Sequence, residues 1–414
     1  MATEAESLTI HGLGRVFGSR NRSMQLFWGV VFIICTAFAI SNLYDNWTSY
    51  LQYQTVLSSK SEVQSSMMFP AVTICNGLKR SSMEPTFTKG FHSFIQSHQN
   101  FCRFDGRSCN ASGIEVRDLS EKSALICLRI NENQTARQIT PAVRWGLSVD
   151  FYLNVSDKIS SDLDYSDPPT EAIKIYLDKS ANFPSIFDTP ILAKPGFLTE
   201  VAVTRVITKR LKFPYPSKCQ VEKGEDFFPG DYTLKGCLLS LWIKDIYLKC
   251  GSVHPAYDYF FPYHLFTRKR ANDTLVEECV QHYHENGTEI NSASCNQPCY
   301  EELYKVNAVT ESKWPVGSEK IRMKRIISAS MGIWPEDDFV SSNFGRLMIG
   351  YDKFEVRHIE EIPKSTIFSL VSDTGGIFGI CLGASFISLL ELIVISISKL
   401  ATRLTKVSTD LPPV

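Results

Sequence analysis

The chain has 414 residues, with 43 basic and 44 acidic side chains and a formal net charge of -1 at pH 7. This near balance provides no basic surface for nucleic acid, so we expect no nucleic-acid partner. The sequence also contains no internal repeat, heptad pattern or low-complexity segment, which excludes solenoid and coiled-coil proteins. The function therefore has to be sought in the arrangement of apolar and polar segments.

Two apolar segments lie near opposite ends of the chain, at about residues 26–44 and 367–400. Each is about as long as, or longer than, the roughly 20 residues that a helix needs to cross a bilayer core. Basic residues lie on the side of each segment that faces the nearer chain terminus. They are Arg15, Arg20 and Arg22 before the first segment, and Lys399, Arg403 and Lys406 at the end of the second and after it. Because positively charged flanks stay in the cytoplasm, both termini are predicted to be cytoplasmic in a multi-pass protein of the plasma membrane.

This topology divides the chain into five predicted regions. They are a cytoplasmic N-terminal segment (1–24), a first transmembrane helix (25–44), an extracellular domain (45–364), a second, pore-lining transmembrane helix (365–400) and a cytoplasmic tail (401–414). A cleaved signal peptide is the alternative for the first apolar segment, but that segment is longer than a typical signal core and lacks a small-residue cleavage site.

The middle region is large enough for one elaborate α+β domain or for two domains. β-branched and aromatic residues predict strands at residues 71–75, 200–211, 346–351 and 354–359, and helices are predicted near 86–99 and 236–249.

Cysteine and asparagine usage both indicate that the middle region is extracellular. Cys35 and Cys381 fall in the apolar segments, and the other ten of the 12 cysteines lie between them. An even number suggests five disulfides in an oxidising compartment, although spacing alone does not assign the pairs. Acceptor sites for N-glycosylation occur at Asn46, Asn110, Asn133, Asn154, Asn272 and Asn286. We expect the last five to be used, because Asn46 lies close to the bilayer.

The second apolar segment contains two carboxylates, Asp373 and Glu391, and glycines at every fourth residue, Gly375, Gly379 and Gly383. Intramembrane carboxylates usually face a bundle interior or a water-filled path, and regularly spaced small residues allow helices to approach closely. On a regular helix the two carboxylates would share one face, separated by a rise of roughly 27 Å. The alternative is that Asp373 caps the helix and Glu391 pairs with a neighbour at the inner interface.

One such helix per chain cannot enclose a pore, so the pattern favours a symmetric oligomer in which copies of the second segment line an axis. Rings of carboxylates and backbone carbonyls select cations. The sequence therefore predicts a cation channel.

Several motifs in this order are similar to those of a known family. They are His11-Gly12, residues 69–76 (FPAVTICN), 195–205 (PGFLTEVAVTR), 210–219 (RLKFPYPSKC), Gly383-Ala384-Ser385 and 390–392 (LEL). In this arrangement the chain resembles the degenerin and epithelial sodium channels, a superfamily that includes acid-sensing and peptide-gated ion channels. The resemblance spans nearly the whole chain.

The resemblance implies a trimeric membrane protein of α+β class. Two transmembrane helices would carry a large disulfide-rich extracellular domain with palm, knuckle, finger, β-ball and thumb subdomains. Gly383, Ala384 and Ser385 would interrupt the second helix and form the constriction, in place of a regular carboxylate face. Asp373 would ring the outer mouth, Glu391 the inner side, and His11 and Gly12 would belong to a re-entrant loop at the inner exit.

The resemblance also implies the disulfide pairs and the activity. The pairs are Cys75–Cys127, Cys102–Cys109, Cys219–Cys299, Cys237–Cys295 and Cys250–Cys279. The expected function is a sodium-selective channel that binds sodium ions and amiloride-type blockers within the lipid bilayer, assembled from this chain or with related subunits. Its gate would respond to protons, a peptide or another small ligand, or stay open constitutively. The alternative is a non-conducting receptor or auxiliary subunit with the same ectodomain.

Candidate gating residues follow in part from the same resemblance. Tyr50 and Tyr53 are expected to contact Tyr215; otherwise these tyrosines line the membrane interface. Some groups could titrate in mild acid, but a solvated loop and ordinary surface histidines are the favoured explanation for them. They are Asp157, Asp162, Asp164, Asp167, Glu171, His254, His264, His282, His284 and His358. Residues 50–68 contain no histidine, unlike acid-sensing members, which argues against proton gating.

We find no motif of a hydrolase, a nucleotide-binding enzyme or a metalloprotease. Cys279, His282, His284 and Cys295 match no common zinc spacing, and oxidised cysteines are poor zinc ligands. The sequence therefore predicts no enzyme, no cofactor and no metal site.

Overall fold

The computed structural model describes residues 21–76, 102–118, 127–153, 170–179, 188–253, 257, 261–262, 274–286, 292–332, 334–383, 390, 393–394 and 397. The chain forms two compact units. Unit 1 comprises residues 1–56, 214–216 and 362–414, and unit 2 comprises residues 57–213 and 217–361.

The helices within the described residues are α1 (Arg22–Leu51), α2 (Leu234–Cys250), α3 (Thr274–Asn286), α4 (Ser318–Met331), α5 (Asp337–Asn343) and α6 (Ile367–Leu382). The strands are β1 (Thr55–Val63), β2 (Met67–Met68), β3 (Ala71–Asn76), β4 (Cys102–Phe104), β5 (Arg107–Ser108), β6 (Val116–Asp118), β7 (Cys127–Ile130), β8 (Arg137–Gln138), β9 (Leu147–Tyr152), β10 (Ile173–Asp178), β11 (Ile191–Ala193), β12 (Phe197–Lys209), β13 (Tyr300–Lys313), β14 (Phe344–Gly350) and β15 (Glu355–Pro363).

Unit 1 contains the two apolar helices. α1 has 30 residues and a length of roughly 45 Å, and its apolar side chains are largely exposed. Of the helices in the described part of the chain, α1 alone is long and apolar enough to cross a membrane, and the apolar helix α6 is shorter. The two helices pack against each other, and Ala39 and Leu370 are buried. The second crossing over residues 365–400 stays a prediction.

Unit 2 is built on two main sheets. The larger is eight-stranded, in the order β1-β15-β12-β14-β9-β4-β5, with β13 paired to β12. The smaller has the order β11-β10-β3-β7-β6, and β2 pairs with β8. A single large core joins strands of both sheets and includes Phe69, Phe104, Val149, Ile175 and Tyr351.

β12 is the central strand because it pairs with three others. It runs antiparallel to β13 and parallel to β14 and β15. Buried Thr199, Val201 and Val203 alternate with more exposed residues, as expected for a strand with one face on the core. A bulge between Ala202 and Val203 shifts the register against β13.

α2 and α3 form a helical layer with its own core. Trp242, Ile243 and Tyr247 of α2 are buried against Val280 of α3. The Thr233 side chain caps α2 by accepting a hydrogen bond from Gly236 N at 2.9 Å.

The predicted elements are found with shifted ends. Strands occur at all four predicted positions, and the helix predicted at 236–249 is α2. The helix predicted at 86–99 lies outside the described residues.

Candidate pore and gating site

Asp373 lies on an exposed face of α6. Within the described residues its carboxylate has no hydrogen-bond or ion-pair partner, and Asp373 is the single charged residue of this helix. The neighbouring glycines Gly375, Gly376 and Gly379 are open as well, since a methyl group built on each would meet nothing within 4 Å. The glycine side of α6 is therefore open to the close approach of another helix.

α6 has defined ends. At its start Thr366 and Ser369 form a reciprocal capping box, with bonds of 3.1 Å from Ser369 N to Thr366 Oγ1 and 2.8 Å from Thr366 N to Ser369 Oγ. At its other end Gly383 has φ 60° and ψ 22°, the left-handed conformation that favours glycine, and its N–H donates to Gly379 O at 3.0 Å.

The end of α6 at Leu382 corrects one expectation. A regular helix from Asp373 to Glu391, with both carboxylates on one face, is wrong, because the left-handed turn at Gly383 stops the helix. Beyond the turn, Leu390, Ile393, Val394 and Ile397 are again helical and exposed.

Ala384, Ser385, Glu391, His11 and Gly12 lie outside the described residues, so their pore roles stay predictions.

Tyr53 and Tyr215 contact each other within unit 1. Their ring centroids are 5.6 Å apart and the rings meet edge to face at 81°. Tyr53 follows the end of α1 with φ 53°, and its N–H donates to Tyr50 O at 3.0 Å. Tyr50 itself is half-buried and makes no ring contact with Tyr215 in the described part of the chain. The structure thus brings together two of the three predicted coupling tyrosines.

We expect Tyr215→Ala to change gating without lowering the amount of protein at the surface. An edge-to-face pair contributes about 0.5–1.5 kcal/mol beyond its buried area, which corresponds to roughly a 2- to 10-fold shift between open and closed states. The measurement is current per unit of biotinylated surface protein. Phe213→Ala is the matched control, because Phe213 belongs to the same loop and is 80% exposed. Equal effects of the two substitutions, or none from Tyr215→Ala, would refute a role in gating.

The structure joins the ten middle cysteines as Cys75–Cys127, Cys102–Cys109, Cys219–Cys299, Cys237–Cys295 and Cys250–Cys279. These are the pairs that the resemblance implies. The last three are nested, with sequence separations of 80, 58 and 29 residues. They tie α2 and the segment before it to α3 and the segment after it. Cys35 and Cys381 are free.

Three of the acceptor asparagines are on the surface, whereas Asn46 lies in α1 and is half-buried. Asn110, Asn133 and Asn286 are exposed. The Asn133 amide donates to Glu115 Oε2 at 3.1 Å, and the Asn286 amide donates to His282 O at 2.9 Å. Asn154 and Asn272 lie outside the described residues.

Among the described groups that could titrate in acid, His358 lies beside a carboxylate. Its Nε2 lies 3.4 Å from Glu62 Oε2. His282 and Glu171 are exposed. The other candidates lie outside the described residues: Asp157, Asp162, Asp164, Asp167, His254, His264 and the side chain of His284.

A cleft of about 280 Å³ in unit 2 was not predicted from the sequence. Lys179 pairs with Asp231 at 2.7 Å along its wall, and Lys235 pairs with Asp188. The Lys179 ammonium lowers the pKa of Asp231, whereas burial raises the pKa of Asp226, which accepts two backbone N–H groups. The residues that line the cleft come from strands and loops far apart in the sequence, so no local sequence motif identifies the cleft.

Cys279 and Cys295 are held in disulfides and are not available as zinc thiolates. Among the residues that the structure describes, no group of three His, Cys, Asp or Glu side chains is arranged to hold a metal ion.

The family model described as amiloride-sensitive sodium channel matches residues 5–101 and 100–395, which is most of the chain. The chain belongs to the amiloride-sensitive sodium channel family. This confirms the resemblance to degenerin and epithelial sodium channels, and the family is one of ion channels rather than of enzymes.

The chain is similar to a degenerin-like protein and to an epithelial sodium channel subunit. Degenerin-like protein unc-105 of Caenorhabditis elegans is 28% identical over 292 residues, covering 64% of this chain but 30% of the relative. Epithelial sodium channel subunit beta of Aquarana catesbeiana is 28% identical over 237 residues, covering 54% of this chain and 83% of the relative. The chain thus spans under a third of the nematode relative.

A solved proton-activated chloride channel covers 88% of this chain and 96% of its own at 11% identity, with a TM-score of 0.33.

Proposed function

We propose that the chain is one subunit of a trimeric, sodium-selective and amiloride-sensitive cation channel of the plasma membrane. An extracellular stimulus opens it, or it is constitutively active. The observation that supports this most directly is Asp373, an unpaired carboxylate on the exposed face of an apolar helix that stops at Gly383. A carboxylate placed in this way is costly in a lone membrane helix and useful in a ring around a cation path.

The open glycine face gives the assembly its geometry. With no side chains on Gly375, Gly376 and Gly379, copies of α6 can approach one another closely around an axis. Three copies would bring three Asp373 carboxylates to one level of that axis.

The helix end at Gly383 provides the second element of a cation path. A helix that stops within the membrane presents the negative end of its dipole and unsatisfied carbonyl oxygens to whatever lies beyond it. Carbonyl oxygens replace the hydration shell of a cation in a selectivity filter. Gly383, Ala384 and Ser385 are therefore proposed as the constriction, with Glu391 on its inner side and His11 and Gly12 near the inner exit. Amiloride, an organic cation, would be drawn to the same negative field.

The test is whole-cell voltage clamp on cells that express this chain, while the outside pH is stepped from about 7.5 to about 5, across the range in which histidine titrates. A sodium-selective, amiloride-blocked current is expected. Growth of the current with acid would assign protons as the stimulus. Silence despite confirmed surface protein would instead favour a required partner subunit or ligand, or a non-conducting receptor or auxiliary subunit.

We expect Asp373→Asn to lower the single-channel conductance for cations, because it removes one negative charge per subunit from the conduction path. Single-channel recording at low ionic strength measures the effect, since screening is weakest there. Asp352→Asn is the matched control, because Asp352 is an exposed aspartate in the turn between β14 and β15. Unchanged conductance in Asp373→Asn would remove this residue from the proposed path.

A further inference from the structure

Glu361 holds both ends of one loop with a single carboxylate oxygen. Leu211 N donates a hydrogen bond of 2.8 Å to Glu361 Oε2, and Ser217 Oγ donates to the same atom. Glu361 is only 8% exposed although it is an acidic residue. A buried carboxylate is stable where donors converge on it, and bonds to an ionised acceptor are stronger than neutral ones.

The loop that Glu361 holds is also closed by a hydrogen bond from Cys219 N to Leu211 O at 3.4 Å. It runs from residue 211 to residue 217 and contains Pro214 and Pro216, which have no N–H to donate. Phe213 is 80% exposed and contributes little packing. Anchors at both ends therefore decide where the middle of the loop lies.

The middle of the loop carries Tyr215, whose ring meets that of Tyr53 at a centroid distance of 5.6 Å. Tyr53 lies two residues beyond the end of α1 at Leu51. The strand that carries Glu361, β15, ends at Pro363, and α6 starts at Ile367. The carboxylate thus holds both ends of the loop that carries Tyr215.

We propose that Glu361 is a positioning residue that holds the 211–217 loop so that Tyr215 meets Tyr53. Its consequence for channel opening rests on the proposed function: loss of the Glu361 carboxylate changes how Tyr215 meets Tyr53 and, with it, the open probability. The positioning itself does not depend on conduction and can be measured without current.

The test uses the full-length chain in cells. Tyr53→Cys and Tyr215→Cys are combined in one chain. The trapping rate is the rate at which a short bis-methanethiosulfonate reagent cross-links these two introduced cysteines, and it reports how close they lie. The two single-cysteine variants correct for reaction at Cys35 and Cys381. Glu361→Ala is expected to lower the trapping rate about tenfold, because it removes two bonds to an ionised acceptor. Glu361→Gln, which keeps an oxygen acceptor without the charge, should recover part of the rate, and Ser217→Ala should cause a smaller loss.

Glu360→Ala is the matched control, because Glu360 is the preceding residue of β15 and is exposed. It should leave trapping unchanged. Trapping as fast in Glu361→Ala as in the parent, or an equal loss in Glu360→Ala, would overturn the proposal. Should Glu361→Ala not reach the surface, Ser217→Ala and Glu361→Gln decide the question by the same readout.

Current recorded from the Glu361 substitutions in the chain that keeps Tyr53 and Tyr215 separates this inference from the proposed function. Loss of trapping in a chain that never conducts leaves the positioning role intact and counts against a channel formed by this chain alone. Normal conduction with trapping that is insensitive to Glu361 rejects the positioning role alone. In a conducting chain, we expect Glu361→Ala to change open probability and leave the reversal potential unchanged, because Glu361 lies outside the proposed pore.

Discussion

Substitution of Gly383 by valine is expected to abolish the current while the protein still reaches the surface. Gly383 has φ 60° at the end of α6, and a β-branched residue in this conformation is strained by about 1–2 kcal/mol or more. The strain is relieved if the chain leaves the left-handed conformation. Every residue after the turn then changes direction, including those proposed for the constriction.

The measurement is current per unit of surface protein, together with the reversal potential. Gly383→Asn should retain part of the current, because asparagine tolerates the left-handed conformation better than other non-glycine residues. Gly29→Ala is the matched control. It lies in the other apolar helix, and a methyl group there meets nothing within 4 Å. Full current and unchanged selectivity in Gly383→Val would show that the left-handed turn does not shape the ion path.

The substitution Arg346→Met, which removes the guanidinium, is expected to lower strongly the amount of protein that reaches the cell surface. The Nε and Nη2 of Arg346 contact the two oxygens of Asp150 at 2.5 and 2.9 Å, and its Nη1 lies 3.1 Å from Glu319. The guanidinium also lies over the ring of Trp314 at 4.5 Å. The Asp150 side chain is 4% exposed, so Arg346→Met leaves a buried carboxylate with Arg322 at 3.7 Å as its nearest remaining cation.

Leaving one buried charge without its partner costs about 3–5 kcal/mol, a large share of the free energy of unfolding of a typical domain. Burial raises the pKa of Asp150. A carboxyl whose folded-state pKa lies above its unfolded value destabilises the fold at higher pH, and this destabilisation declines as the pH falls from the folded pKa to the unfolded pKa. The loss in free energy of unfolding that Arg346→Met causes, relative to the parent protein, should therefore be smaller in mild acid than at neutral pH.

Surface biotinylation and thermal unfolding of the purified protein at two pH values measure these effects. Asp150→Asn combined with Arg346→Met should recover part of the loss, because the unpaired charge is gone. Lys320→Met is the control, since its partner Asp337 is an exposed carboxylate at 3.3 Å. Similar losses in Lys320→Met and Arg346→Met would mean that burial of the pair is not the cause.

The strands were predictable from the sequence, but their ends were not. The stretch around residues 200–211 is rich in β-branched residues, whereas β12 begins at Phe197 because it pairs there with Lys313 of β13. It ends at Lys209, and Arg210 N turns to bond Cys299 O. Strand ends are set by partners far away in sequence, which local propensity does not reveal.

The same distinction holds for the site. Gly383 and Asp373 stand out because a glycine and a carboxylate are unusual in an apolar segment. Glu361 does not stand out, since its partner Leu211 is 150 residues away. Asp150 is similar: a charge within a strand usually faces water, yet this one is buried against Arg346, 196 residues further along.

The strands β1 and β15 have a practical consequence for protein engineering. Gln64 N donates to Phe354 O at 2.9 Å, and Lys364 N donates to Gln54 O at 2.8 Å, so the two strands run side by side along their whole length. A fragment that begins in β1 and ends in β15 has neighbouring termini. A linker of a few residues can join these termini at little cost in chain entropy. Such a fragment could be circularised, or exchanged as a cassette between related chains, without stretching the backbone at either cut.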